Sequence, residues 1–117
     1  MAENASGTIV PVNELAFAKV VRSTTVVEKL AGGFGFVEGP SWTEEDGGYL
    51  VFSDIPNNRI HKLDVASNKV GVFVEDSFST NGLMFGPDGR LYGCQNGKQR
   101  IVAFDREGRS TTIAEGV

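Results

Sequence analysis

The sequence predicts an all-β protein of the β-propeller class, with about two four-stranded blades of an expected six and an N-terminal strand that would close the last blade. The first indication is composition. The 117 residues include 15 glycines, and β-branched and aromatic residues fill the stretches between Gly-rich turns. The second indication is an internal repeat, since four short strands recur in tandem about every 42 residues, the period of a propeller blade.

The repeat holds at fixed spacing. Arg59-Ile60 recurs 41 residues later as Arg100-Ile101, and Gly, Leu and Asp positions recur at the same offset. Upstream the offset is 43 residues, because the turn that contains Asp46 is two residues longer than its counterpart. There Trp42 lies over Phe85. This agreement favours tandem blades over the alternative, two unrelated meanders in a small sandwich.

Each unit is expected to hold four strands separated by turns with Asp-Gly or Asn-Gly chemistry. The predicted first to fourth strands are Gly39–Trp42 and Gly82–Phe85, Tyr49–Ser53 and Leu91–Cys94, Arg59–Asp64 and Arg100–Asp105, and Lys69–Glu75 and Ser110–Ala114. The two blades are therefore expected to span 35–76 and 77–117.

The N-terminal part of the chain has no clear period. Residues 1–24 are predicted to be a partly flexible extension, in which Asn13–Ala18 could form a helical turn. Thr25–Leu30 has the register of a fourth strand, and in a closed propeller such a strand would complete the last blade and remove an exposed sheet edge. The propeller domain is therefore predicted to span 25–117.

Composition also excludes several classes of function. The net charge is −4 and no basic patch of the kind that nucleic acid requires is present. One cysteine and one histidine exclude a disulfide framework, a multi-Cys zinc site and a His-rich metal cluster. No apolar run approaches the ~20 residues that span a membrane. The start lacks a basic region followed by an apolar core, which predicts a cytoplasmic rather than a secreted protein.

The repeat places Glu38 and Asn81 at equivalent positions, each at the opening of a first strand, which lines the central channel of a propeller. Carboxylate and amide oxygens are hard ligands that suit calcium or magnesium rather than zinc. Calcium takes about 6–8 oxygens, so other blades would have to supply the rest. The alternatives are a solvated loop carboxylate for Glu38 and simple Asn-Gly turn chemistry for Asn81.

The segments FVEGPSW, LVFSDIPNNRIHKLD and STNGLMFGPDGRLYGCQNGKQRIVAFDREG resemble the SMP-30/gluconolactonase/LRE-like family across residues 25–117. This resemblance implies a six-bladed propeller with one divalent metal, usually calcium, in the channel. It implies hydrolysis of sugar lactones, with a small-molecule lactone as substrate. By position, Glu38 is similar to the family's first metal ligand, and Asn81 is expected to face the channel or the substrate.

The same resemblance implies further ligands and a substrate-contacting Asn-Asp segment beyond residue 117, so no catalytic residue is expected within this chain. The chain is therefore interpreted as an N-terminal part of a lactonase, inactive alone. The alternatives are a binding or scaffold module whose two blades assemble as a homotrimer, and a nonfunctional truncation that self-associates through its open sheet edge.

Other residues are predicted to be structural. Asp54 is expected to accept hydrogen bonds from the turn that follows it. Cys94 is expected to be a buried small side chain and His61 an exposed one. Trp42 and Phe85 are expected to pack between blades.

Overall fold

The computed structural model describes residues 6–116, which divide into two compact units at Gly33. In the first unit β1 (Ser6–Gly7) pairs antiparallel with β2 (Val27–Glu28). A one-turn helix, α1 (Glu14–Phe17), forms at the predicted helical turn. The strand predicted over 25–30 is thus only two residues long here and pairs within its own unit; its closure of a last blade stays a prediction.

The second unit contains two four-stranded antiparallel sheets, and these are the two predicted blades. Blade 1 has the order β3-β4-β5-β6 and blade 2 the order β10-β9-β8-β7, so each sheet is a meander. The strands are β3 (Val37–Thr43), β4 (Tyr49–Asp54), β5 (Arg59–Asp64), β6 (Lys69–Val74), β7 (Thr80–Phe85), β8 (Leu91–Gln95), β9 (Arg100–Phe104) and β10 (Ser110–Glu115). Single 3-10 turns lie at Glu45–Gly47 and Asn96–Lys98. All eight predicted blade strands are confirmed.

The blades match in a detail that the sequence repeat does not show. The pairing of β3 with β4 shifts between Glu38 and Ser41, and that of β7 with β8 shifts between Thr80 and Leu83. The two bulges overlap at the equivalent glycines Gly39 and Gly82, neither of which has a partner in the ladder. A bulge bends a strand and redirects side chains. In both blades it acts at the opening of the first strand, where the candidate ligands lie.

The core lies within and between the blades. The buried apolar cluster is Tyr49, Val51, Ile60, Val74, Leu91, Val102 and Phe104. The Phe85 ring of β7 packs edge-on against the Tyr49 ring of β4, with 5.8 Å between centroids. The Ser41 hydroxyl accepts a hydrogen bond from the Phe85 amide at 3.1 Å. The interface between the blades is therefore built on the first strand of blade 2, and Phe85 packs between blades as predicted.

Three burial predictions are wrong. Trp42 is 45% exposed and Cys94 is exposed, whereas their counterparts Phe85 and Ser53 are covered by the facing blade. The reason is position, because the faces of Trp42 and Cys94 point away from the blade-to-blade contact. His61 was expected to be exposed but is 8% exposed, because its ring packs against Phe34 at 4.9 Å.

Among the described residues, no helix has the length and apolar character needed to cross a membrane.

Candidate functional site

Glu38 and Asn81 lie on neighbouring first strands. Glu38 is the second residue of β3, opposite Ser53 on β4, and it is half-buried. Asn81 lies in the bulge of β7 and is also half-buried. The Asn81 carbonyl accepts a hydrogen bond from the Ser53 hydroxyl at 2.9 Å. Ser53 therefore pairs with Glu38 in the sheet and also donates a hydrogen bond to Asn81, so one residue contacts both candidate positions.

A glycine allows the two strands to meet at this point. Gly39 has a φ of +61°, and a Cβ at this position would lie 2.3 Å from the Asn81 carbonyl oxygen. Glycine is required here both by the left-handed backbone and by the close approach. The Glu-Gly pair of β3 thus brings the backbone after Glu38 against the backbone of Asn81.

The side-chain oxygens of Glu38 and Asn81 are of the type that a hard cation binds, but they are too few to hold one. Glu38 offers a carboxylate, whereas the Asn81 Oδ1 atom already accepts a hydrogen bond from the Gly82 amide at 2.6 Å. Within residues 6–116, no group of three or more His, Cys, Asp or Glu side chains is placed to hold a metal ion. Because calcium takes about 6–8 oxygens, the described residues form at most one side of a calcium site.

Asp54 is buried and accepts several hydrogen bonds, which indicates a structural role rather than metal binding. Its Oδ1 atom accepts from the amides of Gly35 at 3.2 Å and Phe36 at 3.3 Å. Its Oδ2 atom accepts from the Asn57 side-chain Nδ2 at 2.8 Å and lies 3.3 Å from His61 Nε2. The predicted structural role is confirmed, with donors from the segment before β3 as well as from the following turn.

The surroundings of Asp54 decide its protonation. Burial is the largest single influence and on its own raises the pKa. Hydrogen bonds from Asn57, His61 and the amides of Phe36 and Gly35 together outweigh it, so the pKa of Asp54 lies below its ordinary value of 3.8. An ionised Asp54 therefore fastens the start of β3 to the turn between β4 and β5.

Asn58 anchors the segment that joins the blades. Its Oδ1 atom accepts from the Ser79 amide at 2.7 Å, and its Nδ2 donates to Asp76 at 2.5 Å. Phe78 and Ser79 both adopt left-handed backbone, with φ of +50° and +54°. Sequence reasoning missed this anchor. The only available signal was the Asn57-Asn58 pair, since Asn tolerates the left-handed φ of +56° found at Asn58.

In blade 2 the counterpart of this anchor contacts the segment after β10 through its backbone, because the Gln99 carbonyl accepts a hydrogen bond from the Gly116 amide at 2.9 Å. Gln99 occupies the position of Asn58 in the repeat and shares its left-handed backbone, with a φ of +50°. A pocket of about 250 Å³ lies beside it. The pocket is lined by Asn81, Cys94, Gln95, Asn96, Gln99, Arg100 and Ile101.

Comparison with known families assigns the chain to one of them. The model of the family described as SMP-30/Gluconolactonase/LRE-like region matches residues 36–117, which is most of the chain. The chain belongs to this family. The predicted resemblance is therefore confirmed, and the match covers both blades, including Glu38 and Asn81.

Individual relatives agree with this assignment. The chain is 27% identical over 103 residues to a gluconolactonase of Zymomonas mobilis, which covers 77% of this chain and 28% of the relative. A gluconolactonase structure from Xanthomonas campestris superposes with a TM-score of 0.81 at 23% identity, covering 97% of this chain and 38% of that one. Regucalcin of Agrobacterium tumefaciens, a calcium-binding protein, gives a TM-score of 0.59 at 18% identity, covering 78% of this chain and 33% of that one.

At these identities the two structures establish the fold alone, and they support two blades of a β-propeller. The chain spans 28% of the length of the gluconolactonase relative and 33–38% of the two structures.

Proposed function

We propose that this chain forms the first two blades of a metal-dependent lactonase of the gluconolactonase type, a carboxylic ester hydrolase that opens sugar lactones with water. The family assignment over residues 36–117 supports the reaction class. The observation that carries the proposal is the joining of Glu38 and Asn81 on neighbouring first strands through Ser53. Calcium is the proposed metal because both donors are hard oxygens and because regucalcin, a structural neighbour, is a calcium-binding protein.

In this proposal the chain's own residues bind and position. Glu38 supplies one carboxylate to the metal, and Asn81 forms part of the channel wall that faces the lactone. The bound cation would supply Lewis acidity toward the lactone carbonyl and a lowered pKa of water. Two donors do not hold a cation tightly, so the proposal assigns the remaining ligands to other blades and expects no activity from this chain alone.

A chimera tests the role of Glu38. Residues 36–117 replace the matching segment of the Zymomonas mobilis gluconolactonase, and hydrolysis of a glucono-lactone is measured with added calcium. Glu38→Gln removes the charge but keeps the size, so we expect a loss of activity of about 100-fold or more, partly recovered at high calcium. Glu44→Gln, in the exposed turn after β3, is the matched control and is expected to keep the parent activity. Full activity of the Glu38→Gln chimera at low calcium would contradict the assignment.

A further inference from the structure

The turn between β4 and β5, residues 55–58, contacts the segments that lead into both first strands. The turn is closed by a hydrogen bond from the Asn58 amide to the Ile55 carbonyl at 3.0 Å. On one side the Ile55 amide donates to the carbonyl of Phe36, before β3, at 3.1 Å. On the other side the Asn58 carbonyl accepts from the amide of Ser77, before β7, at 3.0 Å. One short turn is therefore bonded to the entry of β3 and to the entry of β7.

A carboxylate strengthens the contact of this turn with the entry of β3. Asp54, the last residue of β4, accepts from the Gly35 and Phe36 amides at 3.2 and 3.3 Å. The side chain of Asn57, within the turn, donates to the second carboxylate oxygen at 2.8 Å and so fixes Asp54 in turn. Phe36 is thus bonded at both its amide and its carbonyl, and Glu38 lies two residues further along the chain.

A side-chain amide strengthens the contact with the entry of β7. Asn58 Oδ1 accepts from the Ser79 amide at 2.7 Å and from the Ser77 hydroxyl at 3.4 Å. Phe78 and Ser79 both adopt left-handed backbone. Residues other than glycine keep this conformation only where neighbouring groups hold them in it. The bond from Ser79 to Asn58 therefore stabilises a strained backbone immediately before the strand that carries Asn81.

Blade 2 shows that a blade forms without the carboxylate. Gln95, neutral and 2% exposed, stands at the position of Asp54, and its Oε1 atom accepts from Arg100 at 2.6 Å. The backbone contact of the turn is kept, since the Gly97 amide donates to the Phe78 carbonyl at 2.9 Å. The blade fold therefore does not require a buried carboxylate at this position. The carboxylate occurs in the blade whose first strand carries the candidate metal ligand.

We propose that Asp54 and Asn58 are positioning residues for the candidate site. Asp54 fixes the path of the chain into Glu38. Asn58 fixes the path of the chain into Asn81. Because both residues belong to one closed turn, they also fix the two paths relative to each other. The inference rests on the proposed function, in which Glu38 binds the metal and Asn81 faces the lactone.

Calcium affinity tests the role of Asp54. Binding is measured by calorimetry, without substrate, in the chimera of the Zymomonas mobilis gluconolactonase; an unfolded fraction then lowers the stoichiometry and not the affinity. Asp54→Ala and Asp54→Asn lose the same charge, but only asparagine keeps an acceptor for the amides before β3. We expect the dissociation constant of calcium to rise about 10-fold in Asp54→Ala, as for residues that orient metal ligands, and to stay within about 3-fold of the parent in Asp54→Asn.

Two results would separate a failure of this inference from a failure of the proposed function. Equal calcium affinities in Asp54→Ala and Asp54→Asn, together with a lowered affinity in Glu38→Gln, would overturn the positioning role alone. An unchanged affinity in Glu38→Gln would overturn the metal-binding role of Glu38, and the inference with it.

Amide hydrogen exchange in the 117-residue chain tests the role of Asn58 without any metal. Asn58→Gly removes the side-chain acceptor but tolerates the left-handed φ of +56°. The Gly82 amide donates to Asn81 Oδ1 at 2.6 Å, so its exchange rate reports whether the Asn81 side chain keeps its place. We expect the amides of Ser79 and Gly82 both to exchange about 10-fold faster in Asn58→Gly, since each loses an acceptor.

Asn68→Gly is the matched control for this measurement. Asn68 has nearly the same φ, +53°, in the exposed turn between β5 and β6, so its replacement should leave both exchange rates unchanged. Faster exchange at Ser79 with an unchanged rate at Gly82 would show that Asn58 supports only its own local contact, and would overturn its positioning role.

Discussion

Replacing Asp54 by alanine should be the most damaging single change of a charged residue in blade 1. The carboxylate accepts four hydrogen bonds, at 2.8–3.3 Å, and is 1% exposed. Hydrogen bonds to a charged group contribute about 1.5–3 kcal/mol each but are not additive. Each buried donor left without an acceptor costs about 1–3 kcal/mol, and because these costs are less than additive, the loss of Asp54 is expected to cost about 3–5 kcal/mol in total. We expect Asp54→Ala to lower the free energy of unfolding by that amount.

Urea titration followed by circular dichroism gives this loss as a shift in the midpoint. With a slope of about 1.5 kcal/mol/M, the expected shift is roughly 2–3 M. All variants are compared at one chain concentration, so that any association contributes equally. Asp54→Asn keeps one acceptor for the Gly35 and Phe36 amides and should lose only about 1–2 kcal/mol.

Asp64→Ala is the control, because Asp64 also accepts a backbone hydrogen bond, from Ser67 at 2.9 Å, but in an exposed turn. Its expected cost is below about 1 kcal/mol. An Asp54→Ala protein within about 1 kcal/mol of the parent would refute the view that Asp54 fastens the start of β3. Equal losses in Asp54→Ala and Asp64→Ala would refute the importance of burial.

Two further predictions concern a glycine and a surface carboxylate. Gly39→Ala should lower the free energy of unfolding by more than about 2 kcal/mol in the same titration, because the left-handed backbone and the clash with β7 both oppose a side chain there. Gly33→Ala is the control and should cost only about 1 kcal/mol, since its φ is +88° but no atom lies within 4 Å of the added Cβ. Similar losses in the two variants would show that the clash relaxes. Hydrogen bonds from Arg90 and Tyr92 lower the pKa of Asp88 to about 2. Because the folded-state pKa of Asp88 is lowered, its contribution to stability is present above about pH 4 and is lost as the pH falls through about 2. The urea midpoint of Asp88→Asn should therefore fall less between about pH 5 and pH 2 than the midpoint of the parent. An unchanged pH dependence would contradict this.

The blades could be predicted from sequence because a tandem repeat reports on many positions at once. The third strand of blade 1 was predicted at Arg59–Asp64 and is found there. The turns of blade 1 carry local sequence signals, such as Asp-Gly, that indicate where the strands end. Glu38 and Asn81 were predicted to be equivalent, and the structure adds that Ser53 connects them. Their binding roles stay predictions.

Burial was harder to predict, because it depends on what faces each residue across space. His61 lies opposite Phe52 in the register and beside Asp54, and neither neighbour is visible in the local pattern. Cys94 was judged by its apolar strand, yet its exposure depends on whether another strand covers the blade. The bulges of β3 and β7 also leave no clear sequence signal except the glycine that follows each candidate residue.

The residue at the position of Asp54 differs between the two blades, and this difference affects how each blade responds to acid. Where blade 1 has the carboxylate of Asp54, blade 2 has the neutral amide of Gln95, which accepts a hydrogen bond from Arg100 at 2.6 Å. Local opening of a protein proceeds in cooperative units whose free energies differ. Because the pKa of Asp54 lies below its ordinary value of 3.8, its protonation begins to weaken blade 1 only in strong acid, and Gln95 gives blade 2 no titrating group at this position. Blades with the same strand order can thus respond to acid through different side chains.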